Sequence, residues 1–217
     1  METITRWVQR PWFYWLIKHS FLWFARIFMG LKIIDRDKVP LSGGLLVVSN
    51  HIAVLDPPVM GAAIPREVHY MGKKELFENR YLRALVLGLR SYPVDRQGNA
   101  SGAIKASIRR LNEGLAVGIF VQGTRNAGDA QALDGAAFIA QRAGSPLQPA
   151  ALWKEGRKVR VRFGDPIYPE GKSREEATAL TKEVVRRIDA LLPEGQKMPA
   201  ARGLEPHEQE RAREPQT

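Results

Sequence analysis

The segment SNHIAVLDPPVM, residues 49–60, places His51 and Asp56 five positions apart, directly after the apolar run Leu45–Val48. An imidazole oriented by a carboxylate is a general base: the acid fixes the tautomer, and the other ring nitrogen takes a proton from a hydroxyl. The chain has no cysteine, which excludes a thiolate nucleophile and disulfides and fits a reducing compartment. In this pattern the hydroxyl can belong to the substrate, and the activated alcohol can attack an acyl thioester directly. Asp56 has a second reading, as the cap of a helix with Pro57 at its first position and Val59–Ile64 as its body. That reading accounts for Asp56 and gives His51 no role.

Three further polar clusters follow apolar runs. GKKELF, residues 72–77, sets Lys73 at a helix start; SYPVDRQG, residues 91–98, carries Asp95 and Arg96; IFVQGTRNAGD, residues 119–129, carries Gly123, Thr124 and Arg125. Gly123 would let backbone amides approach an anion, Thr124 offers a hydroxyl, and Arg125 can grip a phosphate bidentately. Each cluster alone is an ordinary turn or surface ion pair. Their shared position after strand-like runs is the stronger signal, because loops leaving strand ends in α/β proteins hold the chemistry. An acceptor held by its phosphate would bring its hydroxyl to the base in a fixed orientation.

Elements of two kinds must position these loops. Short apolar runs predict strands over Leu31–Ile34, Leu45–Ser49, Val68–Met71, Tyr92–Val94, Val117–Val121, Leu147–Leu152 and Val159–Phe163. Helical patterns fall over Pro58–Ile64, Lys74–Leu89, Asn99–Glu113, Gly135–Ala143 and Arg174–Leu192. The alternation predicts an α/β fold with a mixed, largely parallel sheet flanked by helices on both faces. Residues 31–195 would form this domain, after a membrane-interface segment at 1–30 and before a polar, proline-bearing tail at 196–217 that reads as disordered.

The formal charge of +10 points to an anionic partner: nucleic acid, a phospholipid surface or a phosphorylated small molecule. The aromatic residues discriminate among these. Trp7, Trp12, Trp15 and Trp23, four of the five tryptophans, lie within the first 23 residues, with Phe13, Tyr14, Phe21, Phe24 and Phe28 around them and Arg6, Arg10, Lys18, Arg26 and Lys32 interspersed. Clustering in one terminal segment disfavours nucleic acid, whose binders spread aromatics along a basic groove. Lys18, His19 and Arg26 interrupt any run of the roughly 20 apolar residues that a spanning helix needs. The segment therefore reads as lying in the headgroup region, rings in the acyl boundary and cations on anionic lipid. The alternative is a helix that docks its aromatics on its own core. The four histidines (His19, His51, His69, His207) have no metal-ligand spacing, so no metal site is expected.

Taken together, N-H-x-x-x-x-D at Asn50–Asp56, K-K-E-L-F at Lys73–Phe77, P-V-D-R at Pro93–Arg96, G-T-R at Gly123–Arg125 and GAAFIAQRAGSPLQPAAL at Gly135–Leu152 resemble the glycerolipid acyltransferase family, nearest to the bacterial 1-acylglycerol-3-phosphate acyltransferases. The resemblance spans about residues 30–170, with the blocks in the family's order and spacing. It implies transfer of a fatty acyl chain from acyl-CoA or acyl carrier protein to lysophosphatidic acid, without a further cofactor. It implies His51 as general base, Asp56 as its partner, and Lys73, Arg96, Gln122, Gly123, Thr124 and Arg125 as the acceptor-binding set. Pro146–Pro149 matches the family's last block. A peripheral or monotopic place on the cytoplasmic face of the cell membrane is implied too, with an N-terminal docking helix that agrees with the aromatic reading. One departure bears on the acceptor: the family's F-P-E-G-T-R is here Phe120-Val121-Gln122-Gly123-Thr124-Arg125, and Gln122 lacks the carboxylate's charge. This leaves open a relative that acylates another lyso-lipid, or a non-catalytic membrane-binding relative. The stretch Asn126–Asp134 reads as a short loop.

Overall fold

The structure is a computed structural model that describes residues 10–94, 100–121 and 127–196. Its centre is a seven-stranded sheet of β1 (Lys32–Ile34), β2 (Leu45–Asn50), β3 (Val68–Lys73), β4 (Tyr92–Val94), β5 (Ala116–Val121), β6 (Leu147–Glu155) and β7 (Lys158–Phe163), in the order β1-β7-β6-β2-β5-β3-β4. Every pairing is parallel except the β6–β7 hairpin. All seven strands coincide with the apolar runs of the sequence.

Both faces of the sheet are covered, which is why the central strands carry consecutive apolar residues, Leu45–Val48 in β2 and Ala150–Trp153 in β6, rather than alternating ones. Along β2, Leu46 and Val48 enter one core with Leu111, Ile139 and Val184; Leu45 and Val47 enter the other with Ala25, Met60 and Ile64. The first core lies under α4 (Ala100–Asn112), α5 (Ala127–Ala143) and α6 (Arg174–Leu191), and the second under α1 (Pro11–Phe28) and α2 (Asp56–Ala63). A capping box fixes the start of α6: Ser173 Oγ accepts from the Glu176 amide while the Glu176 carboxylate accepts from the Ser173 amide.

Two helical expectations are corrected. The pattern read as one helix over Lys74–Leu89 divides into a 3₁₀ turn, Lys74–Phe77, and a separate α3, Arg80–Gly88. Asn79 causes the break: its side chain accepts from the Tyr81 and Leu82 amides and starts a new helix there. The stretch read as a loop over Asn126–Asp134 contains the first turns of α5, which begins at Ala127.

Helix α1 has two faces, and the alternative of docking on its own core holds for one of them. Tyr14, Lys18, Leu22 and Ala25 point inward, while Trp12, Leu16, Trp23, Phe24, Ile27 and Phe28 are exposed. Lys18 corrects the sequence reading, for it is buried and does not sit among the outward cations. Its Nζ donates to the Ile64 carbonyl at 2.5 Å and the Arg66 carbonyl at 2.7 Å, latching α1 to the carboxyl end of α2. A cation is favourable there because the last carbonyls of a helix have no partner within it. Burial, with Arg36 nearby, pushes Lys18 down to about 7 against the opposing pull of Glu67. On the same face the Val68 amide donates to the buried Tyr14 hydroxyl, and desolvation pushes that phenol up to about 12.

Candidate active site

The parallel register brings four strand ends to one edge. Asn50, the last residue of β2, pairs with Val121, the last of β5; β3 lies on the far side of β5, and Lys73, the last of β3, pairs with Val94, the last of β4. The loop carrying His51 leaves from the centre of this carboxyl edge, where an α/β sheet places its ligands.

Asn50 fixes the departure point. The β2–β6 pairing ends at Ser49 and Ala150, and beyond it the Asn50 side chain takes over the ladder. Its Nδ2 donates to the Leu152 carbonyl at 2.7 Å and its Oδ1 accepts from the Leu152 amide at 2.7 Å. A buried amide side chain here does what one more residue of strand would do, and frees the main chain to turn away. The last block, Pro146–Pro149, and the residues that follow it thus serve the site from behind: Pro149 and Ala150 pair with Val48 and Ser49, and Leu152 holds Asn50.

Asp56 then organises the loop. Its Oδ2 accepts three hydrogen bonds, from the Ile52 amide at 2.6 Å, the Ala53 amide at 2.7 Å and His51 Nδ1 at 2.8 Å. The capping reading is corrected: the Asp56 side chain makes no capping bond to α2, whose first turn contains it, and reaches back to the loop before the helix. The four residues between His51 and Asp56 are wrapped around this one oxygen. The carboxylate is almost fully buried, and two main-chain donors hold it so that its third bond can aim the imidazole. With Nδ1 as the donor to Asp56, Nε2 is left as the acceptor, the nitrogen a general base uses.

The imidazole is also held by its flank. Phe120 of β5 lies against the His51 ring with centroids 5.1 Å apart, and Tyr70 of β3 stacks behind Phe120 at 5.5 Å. This three-ring ladder crosses the sheet from β2 to β3. It needs Gly118, where a Cβ would overlap the edge of the Tyr70 ring. Asn50, Phe120, Tyr70 and Gly118 were not assigned roles from the sequence. An asparagine closing a buried strand was a visible signal for the first; the ladder depends on non-local register and left none.

His51 and Asp56 are therefore brought together as expected. Lys73 ends β3 on the same edge, and of its side chain nothing is described. Arg96, Gln122, Gly123, Thr124 and Arg125 lie outside the described residues; in sequence they follow Val94 and Val121, the ends of β4 and β5. Among the described residues no group of three or more His, Asp or Glu side chains could hold a metal ion, and no helix is long and apolar enough to cross a membrane.

Comparison with known proteins bears on this arrangement directly. Residues 30–153 match the Acyltransferase family. The 1-acyl-sn-glycerol-3-phosphate acyltransferase of Bacillus subtilis (strain 168) is 34% identical over 176 residues, 75% of this chain and 88% of that protein. The protein of the same name from Streptococcus pneumoniae (strain ATCC BAA-255 / R6) is 30% identical over 144 residues, 61% of this chain and 54% of that one. The crystal structure of the 1-acyl-sn-glycerophosphate (LPA) acyltransferase PlsC from Thermotoga maritima superposes with a TM-score of 0.61 at 22% identity, covering 94% of this chain and 80% of the other. That likeness establishes the shared fold.

Proposed function

The chain belongs to the Acyltransferase family, and from that premise we propose that it moves a fatty acyl group from acyl-CoA or acyl carrier protein to the free hydroxyl of 1-acylglycerol-3-phosphate, giving phosphatidic acid for phospholipid synthesis. The observation that carries the reading is the His51–Asp56 pair, joined at 2.8 Å through Nδ1, which with Nδ1 donating makes Nε2 the base. Nε2 takes the proton of the acceptor hydroxyl as its oxygen attacks the thioester carbonyl. The tetrahedral intermediate collapses with cleavage of the C–S bond, and the departing thiolate takes the proton back from the imidazolium. Asp56 stabilises the transient imidazolium and stays ionised throughout. No acyl-enzyme is needed, because the substrate supplies the nucleophile.

In this reading Lys73, Arg96, Arg125, Gly123 and Thr124 hold the acceptor's phosphate, and Gln122 lies where acceptor identity is sensed. The outer face of α1 lies on the cytoplasmic face of the cell membrane as a peripheral or monotopic anchor. Each ring that becomes fully buried in lipid would contribute roughly 1.5–3 kcal/mol. A second reading, another lyso-lipid acceptor, is favoured by Gln122 in place of the family's glutamate. The intact geometry of the dyad supports an enzyme over a non-catalytic relative.

The test is an acceptor panel with the purified protein: lysophosphatidic acid against lyso-lipids whose phosphate carries a further headgroup, each with acyl-CoA and acyl carrier protein donors. Preference for the bare phosphate, with Arg96→Ala and Arg125→Ala raising the acceptor's KM far more than the donor's, is the expected result. Preference for a capped headgroup would move the assignment to the second reading, and turnover of none of them would refute both.

A further inference from the structure

The β6–β7 hairpin carries the sheet beyond the end of β2. β6 runs parallel to β2, so its last residues lie on the edge that His51 leaves from, and the antiparallel β7 starts there. Trp153, Lys154 and Glu155 pair with Arg160, Val159 and Lys158. They form a two-stranded ribbon that continues past Leu152 for about 10 Å by the usual rise of a strand. Leu152 is the residue whose main chain holds Asn50, so the ribbon is rooted beside the catalytic loop. Gly156 and Arg157 close it, with φ +58° at Gly156 and no positive φ at Arg157, the pattern of a type II′ turn. A Cβ added at Gly156 would meet nothing within 4 Å among the described residues, so the tip stands clear.

The ribbon is strongly basic. Residues 154–160, with Lys32 paired to Arg160 from β1, supply five cations and one acid, Glu155. That acid is engaged within the ribbon, where it accepts from Arg160 Nε at 2.9 Å and from Trp153 Nε1 at 3.3 Å. Lys154, Arg157 and Lys158 are exposed and make no ion pair among the described residues. The 3₁₀ turn Glu194–Gln196 braces the ribbon, Gln196 Nε2 donating to the Lys154 carbonyl at 2.9 Å. The sheet order puts the ribbon on one side of β2 and the ends of β5, β3 and β4 on the other. The residues read as binding the acceptor's phosphate belong to that other side. Direct transfer needs both substrates bound at once, so an anionic donor requires a platform of its own. Nucleotides are held in concave sites. A projecting cluster of unneutralised cations complements instead the acidic surface of a protein.

We propose that the tip of the β6–β7 ribbon docks the acyl donor in the form of an acidic carrier protein, whose phosphopantetheine arm delivers the thioester to His51 from the side opposite the acceptor's phosphate. The proposal rests on the reading that the acyl group passes directly from donor to acceptor at His51. Its consequence is that the two substrates approach the base from opposite sides and bind independently.

Binding of fluorophore-labelled, unacylated bacterial acyl carrier protein to the full chain, followed by anisotropy, tests this without any turnover. The variant K154E/R157E/K158E should weaken binding about tenfold or more, and rising ionic strength should weaken the wild type steeply and the variant little. The variant K105E/K172E/K182E makes the same charge change at exposed positions elsewhere and should bind like the wild type. In steady-state assays the ribbon variant should raise the KM for acylated carrier protein about tenfold more than that for acyl-CoA. A wild type that turns over acyl-CoA but binds no carrier protein would overturn the proposal and leave the transferase reading standing. Ribbon-dependent binding without turnover of any donor would sink the transferase reading and spare the docking surface. Equal losses with both donors would make the ribbon a site for the phosphate they share, and equal losses in both triple variants would reduce it to net charge. A ribbon variant that binds carrier protein normally but loses anionic vesicles of phosphatidylglycerol would assign the ribbon to lipid. Each of these last three results overturns the proposal.

Discussion

Replacing Asp56 by asparagine keeps the shape of the catalytic loop and removes its charge. A carbonyl oxygen then stands where the carboxylate oxygen stood, and the same donors still reach it. In the native chain Oδ2 receives three hydrogen bonds of 2.6–2.8 Å on an almost buried carboxylate. A hydrogen bond to a charged acceptor is worth about 1.5–3 kcal/mol and a neutral one about 0.5–1.5. Asp56→Asn therefore forfeits about 1 kcal/mol at each of three bonds, so about 3 kcal/mol of folding stability. The catalytic loss is larger, because the charge is needed most when the imidazole becomes imidazolium. In the Ser-His-Asp template the same change costs about 10⁴-fold in kcat. We expect kcat to fall by roughly 10³–10⁴ on that basis, with the KM of either substrate changed little. Initial rates at saturating donor, with thermal melting in parallel, separate the two effects. A folded Asp56→Asn enzyme within a few-fold of wild-type kcat would refute the reasoning and reduce Asp56 to a loop organiser.

Three further outcomes follow from the same geometry. Asn50→Ala strands the amide and carbonyl of Leu152, so denaturant unfolding should show a loss of about 1–3 kcal/mol for each group left unpaired, together with a lower kcat as His51 loses its fixed origin. Gly118→Ala forces Tyr70 out of its stack and should destabilise the fold by about 1–3 kcal/mol through overpacking, an effect that differential scanning calorimetry resolves and that Tyr70→Leu in the same chain should partly relieve. His69, pushed down to about 4 chiefly by burial and further by Arg110 and Arg90, prefers to be neutral in the fold. Protonation then favours the unfolded chain, so stability present above about pH 6.5 should be lost as the pH falls toward 4. His69→Gln should flatten the pH dependence of chemical denaturation across that window.

How much of this was legible in the sequence depended on whether the signal was local. The strands of the sheet were, because short apolar runs such as Leu45–Val48 and Val117–Val121 can be buried on both faces and end in turns. The pairing of His51 with Asp56 was also legible, since a loop of four residues after a strand keeps the two within reach. The break of the Lys74–Leu89 pattern could have been seen in Asn79, a strong capping residue. Lys18 could not: the inward face of α1 reads Tyr14, Lys18, Leu22, Ala25, and only the carbonyls of Ile64 and Arg66, far along the chain, make a buried lysine favourable there. The same holds for the support beneath His51. Phe120 and Tyr70 reach it through the β2–β5 and β5–β3 registers, which no single segment encodes.

The central claim is that His51 is the base that activates the acceptor hydroxyl. The most direct measurement is the rate at which purified wild-type protein and its His51→Ala variant form labelled phosphatidic acid from lysophosphatidic acid and an acyl thioester, at matched vesicle binding and matched melting temperature. A positioned general base supplies about 10²–10⁴-fold, so the account predicts that the variant, folded and membrane-bound, loses at least that factor. A variant that still transfers the acyl group within about tenfold of the wild-type rate, below what a general base supplies, would contradict it.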